Sequence, residues 1–188
     1  MPTAPIPPRL DDLIQAERDI VARLEVEDVD VDYEALSLVS NVYRAASAIR
    51  RRMEQQVLAP ERLSWTAFVT LWVLWIWGEM EARHLAAEAN VTKGTLTGVL
   101  DTLERRGLIA RRRHDDDRRL VSIDLTGDGR ELLARIYPQF NTQESQIAAL
   151  LSPTQRREVA AGLRQVVRAL SNSNGDAADG DASDAGGA

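Results

Sequence analysis

The chain has 188 residues, 44% hydrophobic, 28% charged and 5% aromatic, which is the composition of a globular protein long enough to bury a core and excludes wholesale disorder or a collagen-like repeat. It contains no cysteine, so disulfides, thiolate metal sites, iron–sulfur clusters and cysteine nucleophiles are excluded together. The formal net charge of −6 hides a division: residues 1–34 carry 3 basic against 10 acidic side chains, residues 171–188 carry four acidic and no basic ones, and residues 35–170 hold 20 basic against 15 acidic.

From the N-terminus, Met1-Pro2-Thr3-Ala4-Pro5-Ile6-Pro7-Pro8-Arg9 has neither a basic start nor an apolar run, so no secretory signal and a cytoplasmic address are expected. Leu10, Leu13, Ile14, Glu17, Val21 and Leu24 then recur at helical spacing, and an acidic linker follows from Glu25 to Glu34. Residues 1–34 therefore read as an N-terminal extension. A longer helix is marked by Leu36, Val39, Val42, Tyr43, Ala46, Ile49 and Met53, ending before Pro60. Next, Ser64 is a candidate N-cap and Gly78 a candidate stop for Trp65–Trp77, a helix apolar nearly all round whose most apolar stretch, Ala67 to Trp77, is roughly half the ~20 residues of a bilayer span. No membrane contact is expected, and core packing explains most of its four tryptophans.

Asn90-Val91-Thr92 ends one short helix and caps another, in which Leu96, Val99, Leu100 and Leu103 form the buried stripe and Gly107 the stop. The period then changes from helical to alternating. Residues 108–113 and 120–125 flank the charged tip His114-Asp115-Asp116-Asp117-Arg118-Arg119, which predicts a β-hairpin. Thr126 caps a further helix containing Pro138, and Ser152-Pro153 opens a last one carrying Val159, Leu163, Val166, Val167 and Leu170. Residues 171–188 have no large apolar side chain and are expected to form a disordered acidic tail.

Two short helices joined by a tight turn and followed by a basic hairpin make a winged helix-turn-helix. The predicted fold class is therefore mainly α: a winged helix-turn-helix with a small β-hairpin wing and terminal helices forming a dimerisation region. Residues 35–170 form this domain, with the DNA-binding lobe at about 63–126. The same residues resemble the MarR family of bacterial transcription regulators through Leu85-Ala86, Thr95-Leu96-Thr97, Leu103-Glu104-Arg105-Arg106-Gly107-Leu108-Ile109, Asp117-Arg118-Arg119 and Leu125-Thr126. The acidic ends and the tryptophan-dense helix depart from that pattern.

The second short helix would lie in the major groove of double-stranded DNA. Its candidate DNA-binding residues are Lys93, Thr95 and Thr97, whose ammonium and hydroxyls suit phosphates and base edges, and Gly94 and Gly98, which would admit close backbone approach. The competing reading is that the threonines only cap and the glycines only pack. In the wing, Arg111, Arg112, Arg113 and Arg118 are candidate phosphate partners. The resemblance implies a minor-groove arginine at Arg119, oriented by Asp117. It also places the tryptophan helix where members bind small aromatic effectors, making Tyr43, Arg44, Arg50, Trp65, Trp72 and Trp75 candidate effector residues. No metal site or cofactor is expected, nor an enzyme, since no nucleophile elbow or phosphate loop accompanies these residues. The expected assembly is a homodimer on a pseudo-palindromic operator, joined through helices at 36–57, 127–151 and 153–170, acting as a repressor. The rival reading is a winged-helix protein-interaction module that binds no DNA.

Overall fold

The computed structural model describes residues 13–113 and 121–179. The chain divides into two compact units, one up to Ile136 and one from Tyr137 onward. The first contains α1 (Gln15–Val26), α2 (Tyr33–Met53) with a π-helical continuation (Glu54–Leu58), α3 (Trp65–Trp77), β1 (Met80–Glu81), α4 (Ala82–Glu88), α5 (Lys93–Arg105), β2 (Ile109–Arg113) and β3 (Val121–Leu125). Helix α6 (Gly127–Ala148) begins in this unit and ends in the second, which also holds α7 (Pro153–Asp179). The architecture is the mainly α winged helix-turn-helix that the sequence predicts.

Local chemistry sets the boundaries. Ser64 and Thr92 accept the backbone N–H of Ala67 and Thr95, as their cap positions require. Helix α2 starts a turn earlier than Leu36 because Asp32, read as linker, accepts the N–H of Ala35. At its other end the Ala59 N–H reaches back five residues to the Glu54 carbonyl. The widened turn lets Met53, Val57 and Leu58 all face the core. Helix α6 stops at Ala148, short of residue 151, whereas α7 runs on to Asp179. Helix α7 thus extends into the segment read as an acidic tail, whose remainder lies outside the described residues.

The sheet has the order β1-β3-β2, all antiparallel. A hairpin of two strands is what alternation predicts; the third, β1, contributes only the pairs Met80↔Ile123 and Glu81↔Ser122. Beside it the Ser122 hydroxyl, itself buried, donates to the Glu79 carboxylate. The core of this unit is closed by Leu58, Leu71, Leu74, Leu85, Leu103 and Leu133, all fully enclosed. Each such side chain contributes about 1.5–3 kcal/mol on leaving water.

Helix α3 grades its apolar residues by burial. Its core-facing residues are Ala67, Phe68, Thr70, Leu71, Val73 and Leu74, whereas Trp65, Trp72 and Trp75 are half-buried and Trp77 is 59% exposed. The helix is apolar all round because it carries two stripes. One, of aliphatic and small side chains, is covered by its own unit; the other, Trp65, Trp72 and Trp75, follows heptad spacing along its flank and meets the first at buried Phe68.

The N-terminal extension is docked through α1. Leu13 and Val21 are buried, and so is Glu17, which accepts from the Ser37 hydroxyl at 2.6 Å, the Asn41 amide at 2.7 Å and the Ile14 N–H at 3.1 Å. The Ser37 hydroxyl is the main reason its carboxyl sits below the usual range; Ile14, Asn41 and the charge of Arg44 act the same way, and burial opposes them.

Candidate nucleic-acid interface

Helices α4 and α5 meet at a turn in which Asn90 takes φ 51°, a left-handed conformation that asparagine tolerates. Beyond it, Leu96, Leu100 and Leu103 anchor α5 in the core, which turns Lys93, Gly94, Thr95, Thr97 and Gly98 outward together. A Cβ built on Gly94 or Gly98 meets nothing within 4 Å, so nothing among the described residues accounts for either glycine by packing. Gly129 is the opposite case: a Cβ there would lie 2.1 Å from the Leu108 carbonyl oxygen. Thr92 and Thr95 share a hydroxyl contact at 2.9 Å, and the Thr97 hydroxyl donates to the Lys93 carbonyl at 2.9 Å. Outward, Thr97 therefore offers a methyl group and acceptor lone pairs. Lys93 makes no ion pair among the described residues.

Several contacts fix this helix and the wing behind it. Arg106, just past the end of α5, donates to the carbonyls of Arg62 at 3.0 Å and Glu61 at 2.9 Å, and Glu61 pairs with Arg135 of α6 at 2.8 Å. Thr126 donates to the Gly107 carbonyl and accepts the Gly129 N–H, tying α6 to the turn that opens β2.

Strand alternation separates the wing arginines. Arg111 shares a face with buried Ile109, and its guanidinium pairs with Asp101 at 2.6 Å and Glu104 at 3.4 Å, both on α5. Arg112 points the other way, is exposed, and makes no ion pair among the described residues. Arg113 closes β2, while His114, Asp117, Arg118 and Arg119 lie outside the described residues. Residues 63–126 hold 9 basic and 9 acidic side chains, so any attraction to phosphates must come from arrangement, not net charge.

The candidate effector residues fall into two groups. Trp65, Phe68, Trp72 and Trp75 form a ladder with ring centroids 6.2, 6.3 and 5.6 Å apart, and the Arg50 guanidinium lies 5.9 Å from the Trp65 ring centroid while pairing with Glu54. Arg44 is half-buried, with its Nη1 enclosed and without a hydrogen-bond partner among the described residues. Tyr43, by contrast, is 72% exposed on α2. Sequence reasoning missed Asp101 and Glu104, although their spacing on the exposed side of a stripe of leucines was a usable signal. Among the described residues no cluster of metal-ligating side chains occurs, and no helix is long and apolar enough to cross a membrane.

A model of the MarR family matches residues 63–121. Over 155 residues the chain is 33% identical to the helix-turn-helix transcriptional regulator YwaE of Bacillus subtilis, covering 82% of this chain and 91% of YwaE. A structure of Bordetella bronchiseptica BpsR, concerned with regulation of its DNA binding by 6-hydroxynicotinic acid, aligns with a TM-score of 0.64 at 25% identity over 69% of this chain and 98% of BpsR. An S. aureus MepR–DNA complex aligns with a TM-score of 0.63 at 23% identity over 69% of this chain and 96% of MepR.

Proposed function

The chain belongs to the MarR family of helix-turn-helix transcription regulators, and from that premise we propose that it binds a pseudo-palindromic DNA operator as a homodimer and represses until a small aromatic effector releases it. The observation that carries the DNA-binding reading is the first two turns of α5. Among the described residues they expose a lysine without an ion-pair partner, threonine methyls and acceptors, and two glycines that no neighbour explains. A cation at a helix N-terminus runs against the helix dipole, and phosphate reverses that cost. Bare backbone beside it lets the helix sit deep in the major groove, with Arg112 beside the flanking backbone. Such a regulator works in the cytoplasm, where bacterial DNA is, and no catalytic role is assigned to it.

The dimer is supported by α7, whose residues from Pro153 to Asn172 are exposed apart from half-buried Ala160. Val159, Leu163, Val166 and Leu170 form a stripe on it 42–63% exposed, and Leu38, Val39, Val42 and Ile49 are likewise open on α2. A long amphipathic helix with nothing covering its stripe is marginal in water, and a second copy is the occupant that makes two such faces complementary at once. The effector reading is supported by the indole ladder, a wall for a planar ring, and by Arg44, whose enclosed and unmatched donor a carboxylate would satisfy. An aromatic acid acts on BpsR, which makes that class the first to try.

Selection of duplexes from a random-sequence pool tests the reading. Enrichment of one sequence with two-fold related halves, about one helical turn apart, is expected. Failure to enrich any sequence would overturn it.

A further inference from the structure

We propose that Arg111 is a positioning residue: it braces the wing against the recognition helix and so sets the distance between two DNA-reading elements, without itself touching DNA. The proposal rests on the DNA-binding reading above and refines one of its residues. In sequence, Arg111, Arg112 and Arg113 are an undifferentiated basic run. In the sheet, their faces alternate, and Arg111 falls on the side of Ile109, which is buried. Its guanidinium is thereby carried to α5, where Nη2 meets Asp101 at 2.6 Å and Nη1 meets Glu104 at 3.4 Å. The two carboxylates are three residues apart on one face of the helix, so the planar fork spans them as a lysine could not.

Both of its outer nitrogens are committed, and its charge is more than matched before DNA arrives. A phosphate would have to displace two carboxylates from it. The arrangement adds little to stability, because pairs this exposed are weak in water. Its value is geometric: beyond the turn at Gly107 that joins α5 to β2, a two-point brace restricts rocking of the wing.

Counterion release distinguishes a brace from a phosphate contact, since each phosphate neutralised contributes about 0.9 to the slope of log K against log salt. Fluorescence anisotropy of a labelled duplex, selected by the wild-type protein from a random pool, would be followed at several salt concentrations. Arg112→Gln should lower the slope by about 0.9. Arg111→Gln should leave the slope unchanged while weakening binding roughly tenfold, a coupling of ordinary size within one network. Arg111→Lys retains the charge but not the fork, and should recover little of that loss with the slope again unchanged. Should Arg111→Gln fail to fold, Arg111→Lys carries the comparison alone. A slope lowered by Arg111→Gln, an affinity it leaves untouched, or wild-type affinity in Arg111→Lys would each overturn the brace. Wild-type binding that ignores salt would overturn the DNA-binding reading itself, before any variant is compared.

Discussion

Helices α5 and α7 are both amphipathic, yet they differ in what their apolar stripes meet. On α5, Leu96, Leu100 and Leu103 are at most 4% exposed, sealed by their own unit, and the opposite face is left free for a ligand. On α7, Val159, Leu163, Val166 and Leu170 repeat at the same kind of spacing and stay open. Periodicity reports that a stripe must be covered; it does not report whether the cover comes from the same chain. The first helix is therefore a finished part of a domain, and the second, on the dimer reading proposed above, is half of an interface.

That contrast is broken most forcefully by one leucine from each helix. Leu103→Ala should cost about 2–5 kcal/mol in chemical denaturation at any protein concentration, the loss expected for a fully enclosed leucine. Leu163→Glu should instead convert a dimer to monomers in sedimentation velocity, and Leu163→Ala should show its cost only as a concentration-dependent melting temperature. A Leu163→Glu protein that remains dimeric would erase the distinction between the helices.

The two stripes of α3 repeat the contrast inside one helix. Because Trp72 is only half-buried, Trp72→Ala should cost less than the ~3–5 kcal/mol of a core tryptophan. It should also abolish the quenching and DNA release produced by aromatic acids in the wild type. Full loss of folding with no effector response in either protein would return the indoles to a packing role.

Two glycines sharpen the difference on a smaller scale. Gly129→Ala drives a Cβ into the Leu108 carbonyl and should destabilise by about 1–3 kcal/mol in thermal or denaturant unfolding. Gly98→Ala meets open space and should raise stability by about 0.5–1 kcal/mol while weakening operator binding. A Gly98→Ala protein that is stabilised and binds DNA as before would show that its bare backbone serves no ligand.

The smallest effect expected is that of Glu17. Its carboxyl is held below its unfolded value, so its contribution to stability is complete above the unfolded value and lost as pH falls through the folded one. Glu17→Gln should flatten the acid limb of a plot of stability against pH and leave the neutral region less changed in slope. An identical acid limb would separate α1 from the fold.

What could be read in the sequence was local. Caps at Ser64, Thr92 and Thr126, the stop at Gly107 with φ 71°, and the change of period after it all depend on neighbours within a few residues. Strand β1 did not show, because two residues carry no alternation and its partner lies 43 positions away at Ile123. The docking of α1 depends on a buried carboxylate meeting Ser37 and Asn41 twenty or more residues on; helical spacing put Glu17 on the apolar side of α1 but gave no sign of those distant partners. The same limit applies to the candidate interface. Its helix was legible from spacing, whereas the division of labour between Arg111 and Arg112 required the register of β2 against β3 and the position of Asp101.

The most direct measurement is a titration of the selected duplex with the wild-type protein across a range of salt concentrations, alongside a scrambled duplex of equal length. The account predicts tight, sequence-dependent binding of one dimer per duplex, with log K falling steeply and linearly against log salt because several phosphates are contacted. Binding that is absent, or equal for both duplexes and insensitive to salt, would contradict it and leave a winged-helix module whose exposed face on α5 serves a protein partner.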